Sequence, residues 1–341
     1  VRVALDAQLT VGTATGIGEY VRGLVDALRR RGVDVAELRE PRLDPWRFDR
    51  RVLWDQVVLP KRARASGASL LHCASGTMPR ASGLPIVVTV HDVAWLADQV
   101  NARPYARYYF GKLAPQRYRR ARIIVVDSSF SRDALLQLVR GLDPRRVQVV
   151  YPGVAADFCE LVRGAGDGRR ILAVGTIERR KNLEVLVRAL ARLPAARLVA
   201  VGPHTPYASE CAALAAQVGV ADRIEMPGYV ARDRLLALYR ECAVVAVPSR
   251  YEGFGYAAAQ ALCAGAPCVV SDRSSLPEIA AGDAPVVAGD DVDAWVAALE
   301  PALRGDDDQR ANDVRPRAVA RFSWEASAAR MEALYKETVS G

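Results

Sequence analysis

Apolar residues fall along this chain in short unbroken runs, separated by longer stretches in which they return every three or four positions. After an alternating stretch at Val1–Ala7 that also reads as a strand, one series of runs lies at Leu70–Cys73, Ile86–Val90, Ile123–Val126 and Val147–Val150. A second follows at Ile171–Val174, Leu198–Val201, Ile224–Met226, Val244–Val247, Cys268–Val270 and Pro285–Val287. Runs of this length without alternation mark strands covered on both faces, as in a parallel sheet. The intervening periodicity is helical: from Gly16 on, Ile17, Tyr20, Val21, Leu24, Val25 and Leu28 share one face, and Gly32 stops the helix. Strand–helix alternation predicts an α/β fold with a doubly wound sheet, whose ligands gather at the carboxyl ends of the strands.

The strand series occurs twice, and 341 residues exceed what one core usually holds, so two domains are predicted. The first spans 1–155 and closes at Pro152-Gly153; the second spans 165–318 after a Gly-rich linker at Arg163–Gly168. A terminal segment, 319–341, opens with Phe322-Ser323-Trp324 and runs as an amphipathic helix to about Val339.

Composition narrows the class. With 51% hydrophobic and 25% charged residues the chain is neither disordered nor fibrous. No apolar run reaches the roughly 18 residues of a membrane helix, and the first residues open on a strand instead of a signal peptide, so a cytosolic protein is expected. The cysteines Cys73, Cys159, Cys211, Cys242, Cys263 and Cys268 include no CxxC pair, which points to reduced thiols. His72, His91 and His204 form no HExxH, and no metal site is expected.

Charge divides the chain unevenly: residues 1–150 carry +11 and the remainder −3, together the net +8. A basic half suggests a polyanionic partner, either nucleic acid or an anionic membrane surface. Within it, residues 102–122 hold seven basic residues and no acid, interleaved with Tyr105, Tyr108, Tyr109, Phe110 and Tyr118. Read as a helix, this is either a surface helix with its tyrosines turned inward or a segment able to lie on lipid or stack on bases.

Candidate chemistry sits at strand ends. After Val247 comes Pro248-Ser249-Arg250-Tyr251-Glu252-Gly253-Phe254-Gly255 and an Ala-rich helix. Its glycines let the backbone approach a bound group, the helix start offers N–H donors to an anion, and Glu252 adds an acceptor for hydroxyls. After Val174 comes Gly175-Thr176-Ile177-Glu178-Arg179-Arg180-Lys181-Asn182, where cations near a helix start make a diphosphate clamp or a solvated face. His91-Asp92 ends the strand Ile86–Val90 and is read either as packing or as a site. Gly16 and Gly18 follow the first strand without the GxGxxG spacing of dinucleotide sites, and Gly228-Tyr229-Val230 ends another strand.

The stretch Pro248–Gly265 resembles the signature of the retaining GT-B glycosyltransferases of family 4, in which a Glu, seven residues and a second Glu grip a nucleotide-sugar donor. Glu252 matches the first Glu, and Gln260 stands at the second. Thr89–Trp95, Arg180-Lys181-Asn182, Ser274–Glu278 and Phe322–Trp324 follow in family order. The resemblance implies two Rossmann-like domains facing across a cleft, with the terminal helix packing back on the first. It implies Glu252, Arg180, Lys181 and His91 as catalytic residues, Lys181 matching the family's lysine and Arg180 standing in for an arginine that Thr176 replaces. Gly16, Gly18, Tyr229, Val230, Phe254, Gly255, Tyr256 and Gln260 would bind the donor.

The implied activity is retaining, metal-independent hexosyl transfer from a nucleoside diphosphate sugar, with GDP-mannose as the subgroup's donor. The acceptor would be a glycan or lipid-linked molecule of surface polysaccharide synthesis, at the inner membrane face through residues 102–122. No cofactor beyond the donor is implied. Two other readings stay open: a non-catalytic sugar-nucleotide-binding relative, which the amide at Gln260 fits, and a nucleic-acid-binding protein, for which no reading motif is present.

Overall fold

The computed structural model describes residues 1–12, 16–94, 96, 104, 107–164, 166 and 168–340. Trp95 of the His91 segment, Ala102, Arg103, Tyr105 and Ala106 of the basic segment, and Ala165 and Asp167 of the predicted linker lie outside the described residues.

The chain divides into two compact units. Val1–Gly153 and the residues from Ser323 on form the first, and Val154–Phe322 the second. In the first unit β1 (Arg2–Asp6), β2 (Asp34–Leu38), β3 (Leu70–Cys73), β4 (Ile86–Val90), β5 (Ile123–Val126) and β6 (Val147–Val149) form a parallel sheet in the order β2-β1-β3-β4-β5-β6. In the second, β7 (Arg170–Val174), β8 (Arg197–Val201), β9 (Ile224–Gly228), β10 (Val244–Val247), β11 (Cys268–Ser271) and β12 (Val286–Val287) pair in the order β12-β11-β10-β7-β8-β9, again all parallel. This is the α/β architecture that the apolar runs predict. The central strands β3, β4, β5, β10 and β11 are buried along their whole length, which is why they read as unbroken apolar runs.

The helix Gly16–Arg30 buries Tyr20, Val21, Leu24, Val25 and Leu28 against β1 and β3, in the register its spacing predicts. The helix Trp324–Ser340 joins the same core through Ala328, Met331, Leu334 and Tyr335. Its entry is fixed by Trp324, whose indole occupies the space where side chains on Gly23 and Gly153 would stand. At these two positions glycine is required by the indole's close approach.

Three sequence expectations change. The unit boundary falls at Gly153/Val154, and Arg163 is docked in the second unit, its Nη1 donating to the carbonyls of Tyr239 (3.0 Å) and Cys242 (2.9 Å). The segment read as a linker is therefore anchored. Among its described residues the basic stretch runs from a wide helical turn Arg107–Leu113 into a short helix Ala114–Tyr118 instead of one regular helix, with Tyr109 and Tyr118 turned inward, as one of its two readings had it, and Tyr108 exposed. Finally, β2 is an additional edge strand: its sequence Asp-Val-Ala-Glu-Leu mixes polar and apolar residues because neither face is fully covered. Among the described residues no helix is long and apolar enough to cross a membrane. All six cysteines are free, and all but the partly buried Cys159 are buried.

Candidate active site

In the second unit two turns meet at the carboxyl ends of β7 and β10. After β7 the chain passes through Gly175 at φ 139°, and after β8 through Gly202 at φ 149°. A side chain on Gly202 would run into the Gly175 carbonyl, and one on Gly175 would lie 3.1 Å from Lys181 Cε. The glycines thus let Lys181 fold over the strand end. A single turn, Arg179–Lys181, then leads to Asn182, a buried residue in the left-handed region at φ 53°. Its Nδ2 donates to the Gly289 carbonyl at 2.9 Å, which offsets the strain of that backbone.

The second turn follows β10. Glu252 is 9% exposed and receives Lys181 Nζ, Ser249 Oγ (2.8 Å) and Arg180 Nη1 (3.3 Å). Arg180 Nη1 also donates to the Tyr251 carbonyl at 3.0 Å, and the Arg250 amide donates to the Arg180 carbonyl at 2.7 Å, so the turns are tied by main chain as well as by charge. Burial pushes the Glu252 carboxyl up, but the two cations outweigh it and hold the group below its ordinary range. Arg180 pairs further with Glu178 at 2.7 Å. Arg179 turns elsewhere, paired with Glu210 over the ring of Tyr207. Two of the three consecutive cations are therefore aimed at Glu252.

Around this cluster Ser275 Oγ donates to the carbonyls of Glu252 (3.0 Å) and Phe254 (2.8 Å), and the Glu252 amide donates to Ser274 Oγ at 2.9 Å. Gly255, at φ 99°, caps the helix Tyr256–Cys263, and a side chain there would press to 2.8 Å from Leu276. Phe254 is buried against Tyr256 and Phe322. On the same helix Gln260 Oε1 accepts from Tyr239 Oη at 3.1 Å. Tyr229 and Val230 follow β9, Tyr229 being 63% exposed.

Other predicted residues lie in the first unit. Gly16 opens the helix Gly16–Arg30 at the surface, and Gly18 is buried two residues on. His91 follows β4, with Nδ1 2.7 Å from Asp127 Oδ2 and Nε2 3.0 Å from the Ala74 carbonyl. The carbonyl accepts, and an ionised Asp127 accepts as well, so the geometry favours a doubly protonated, charged ring. Burial opposes that charge, but the Asp127 carboxylate prevails and the His91 pKa is raised. A ring so placed is suited to holding a positive charge beside Asp127.

The sequence reading includes Ser249, Ser274 and Ser275 in its motifs without giving them a role, and it does not name Asp127. Asp127 carries the one available signal, a carboxylate at the end of the apolar run Ile123–Val126. The serines act through folded geometry alone.

Residues 163–319 match the family described as glycosyl transferases group 1, and residues 14–158 that described as glycosyltransferase family 4. The chain is 29% identical over 280 residues to the MMP alpha-(1->4)-mannosyltransferase of Mycolicibacterium hassiacum, covering 76% of this chain and 66% of that one. It is 37% identical over 232 residues to the D-inositol 3-phosphate glycosyltransferase of Xylanimonas cellulosilytica, covering 61% and 55%. The matched part thus spans about half to two thirds of these curated relatives. Among solved structures, the sucrose-phosphate synthase of Thermosynechococcus elongatus superposes with a TM-score of 0.76 over 99% of both chains at 23% identity, a likeness of fold.

Proposed function

The chain belongs to the glycosyl transferases group 1, the GT-B enzymes of family 4, and on that premise we propose that it moves a sugar from a nucleoside diphosphate donor to a hydroxylated acceptor. The observation that carries the reading is the contact of Lys181 and Arg180 with Glu252 at the ends of adjoining parallel strands. A diphosphate needs fixed cations, a sugar ring needs a hydrogen-bond acceptor, and this cluster supplies both within one short span.

In the proposed reaction Lys181 and Arg180 face the diphosphate and stabilise the charge that builds on it as the glycosidic phosphate bond breaks. Glu252, held ionised, accepts from hydroxyls of the donor sugar. The His91 imidazolium supplies fixed positive charge and takes no proton. The acceptor's proton leaves to the departing phosphate, and the configuration at the anomeric carbon is retained. The cations make a metal ion unnecessary, so transfer persists in excess chelator. Mannose from GDP-mannose is the proposed donor, the mannosyl group being supported by the name of the M. hassiacum mannosyltransferase. The basic face around Arg107–Tyr118 is the proposed contact with an anionic membrane surface.

The test is a thermal-shift panel of nucleoside diphosphate sugars followed by a transfer assay with the best binder, since a ligand of the folded state raises its stability by mass action. Stabilisation by one such donor, with a sugar-bearing product of unchanged anomeric configuration, supports the reading; no response to any donor sinks it.

A further inference from the structure

Two cysteines of the second unit meet at their side chains. Cys159 ends the short helix Ala156–Cys159, and Cys263 ends the helix Tyr256–Cys263, which packs on it. Both are reduced, and each thiol is hydrogen-bonded to the other. Their exposures differ. Cys263 is fully buried, whereas Cys159 is partly open to solvent and holds a weak contact with the Val154 carbonyl, 3.9 Å from its sulfur.

Neighbouring side chains fix the short helix in place. Asp157 accepts two bonds of 2.7 Å from Arg232, whose guanidinium also lies 4.5 Å from the ring centre of buried Phe158. Tyr239 meets Phe158 edge-on at 5.0 Å, and Arg315 Nη2 donates to the Cys159 carbonyl. Anchored elements therefore hold the two sulfurs side by side, where a bond between them needs little movement of the chain. Reactivity is divided between the pair. The hydrogen bond from Cys263 favours the Cys159 thiolate and lowers its pKa; burial, Asp157 and Glu160 oppose that shift, and the Arg315 guanidinium adds to it. The same bond, together with burial, pushes the Cys263 thiol up and keeps it protonated. Burial also raises Cys73, Cys211, Cys242 and Cys268, which makes them poor nucleophiles.

We propose that Cys159 and Cys263 form a redox-sensitive dithiol, oxidised by hydroperoxides to a disulfide and restored by thiol reductants. Cys159 is the attacking residue and Cys263 the resolving one. The Cys159 thiolate sulfur attacks one peroxide oxygen; the O–O bond breaks, Cys159 becomes a sulfenic acid, and the departing oxygen takes up the proton that Cys159 released. The Cys263 sulfur then attacks the sulfenic sulfur: the S–S bond forms, the S–O bond breaks, and water leaves with the Cys263 proton. The sulfurs give up one electron pair, and hydrogen peroxide ends as water. The bridge ties the short helix Ala156–Cys159 to the helix that starts after Gly255 and carries Gln260.

The experiment exposes the folded full chain to a small excess of hydrogen peroxide, blocks the remaining thiols with N-ethylmaleimide, and maps an unreduced digest by mass spectrometry. The expected product is a linked pair of peptides holding Cys159 and Cys263, lighter than its reduced parts by two hydrogens and released by dithiothreitol. Cys263→Ser should leave a Cys159 sulfenic acid that dimedone traps, and Cys159→Ser should slow oxidation of Cys263 by about tenfold or more. The wild type alone can show or refute the bridge, so the result does not depend on the folding of either variant. Linkage through another cysteine, overoxidation of Cys159 with no bridge, thiols left unchanged, or undiminished oxidation of Cys263 in Cys159→Ser overturns the proposal.

Discussion

In the second unit the strand ends carry glycine turns and closely set ions; in the first, a sheet of the same size and parallel sense carries an aromatic-walled cavity whose Arg51 and His91 are paired with buried Asp55 and Asp127. The same scaffold therefore supports two kinds of recognition. Where Gly175, Gly202 and Gly255 bring backbone and ions together, the surface suits a compact, highly charged ligand. Where Arg51 and His91 are neutralised from behind, shape and apolar area remain to select one.

Substitutions that break this contrast should differ widely in effect. The largest is expected at Glu252. Glu252→Gln leaves Lys181 and Arg180 without their charged partner and weakens the acceptor offered to the donor sugar, so steady-state kinetics should show kcat/KM down by about 100-fold or more. Its stability cost depends on pH with a definite sign. A carboxylate whose folded pKa is depressed contributes stability above its unfolded pKa of about 4.3 and loses that contribution as pH falls through the folded value. The gap in Tm between wild type and Glu252→Gln should thus be full near neutrality and shrink in acid below pH ~4; a gap constant with pH would show that the pair does not stabilise the fold.

Gly23→Ala tests the packing of the first unit by itself. The added methyl meets the Trp324 indole, and overpacking of this kind costs about 1–3 kcal/mol, visible as an earlier denaturant midpoint. Binding of GDP or UDP at saturation should be little altered, because those ligands are assigned to the other unit.

A subtler test concerns His91. Its folded pKa is raised, so the His91–Asp127 pair stabilises fully below the unfolded value of about 6.5 and fades as pH rises through the folded one. Nitrogen-15 NMR should find both ring nitrogens of His91 protonated above pH 6.5 in the wild type, and the titration moved lower in Asp127→Asn. An ordinary titration in the wild type would remove the imidazolium from the mechanism. The smallest effect is expected at Gln260→Glu. Tyr239 can donate to either side chain, and an added carboxylate should keep nucleotide affinity within a few-fold or tighten it; a large loss would assign Gln260 another contact.

Much of the second unit's site was legible because its chemistry is local. Gly175–Asn182 and Pro248–Gly255 each place their cations, glycines and carboxylate within eight residues, and the apolar runs before them mark the strand ends. The edge strand Asp34–Leu38 escaped notice since it pairs with β1 alone and its polar residues Asp34 and Glu37 break the apolar run. The first unit's cavity was illegible for another reason. Arg51, Trp46 and His91 stand in separate elements. Only the i,i+4 spacing of Arg51 and Asp55 relates a pair in advance, whereas Asp6 and Asp127 reach Arg51 and His91 from other strand ends once the sheet assembles. In the basic segment Tyr109 and Tyr118 turn inward to Asp55 and Gly76, as one of its two readings had it, but those partners lie in other elements and could not be read from the segment itself.

The central claim is that Lys181 and Glu252 form the seat of a nucleoside diphosphate sugar. Calorimetric titration of GDP and UDP into wild type and Lys181→Met, at a temperature where both are folded, tests it most directly. The account predicts clear binding of at least one nucleotide by the wild type and at least a tenfold weaker Kd in the variant. Equal affinities in the two proteins would contradict it.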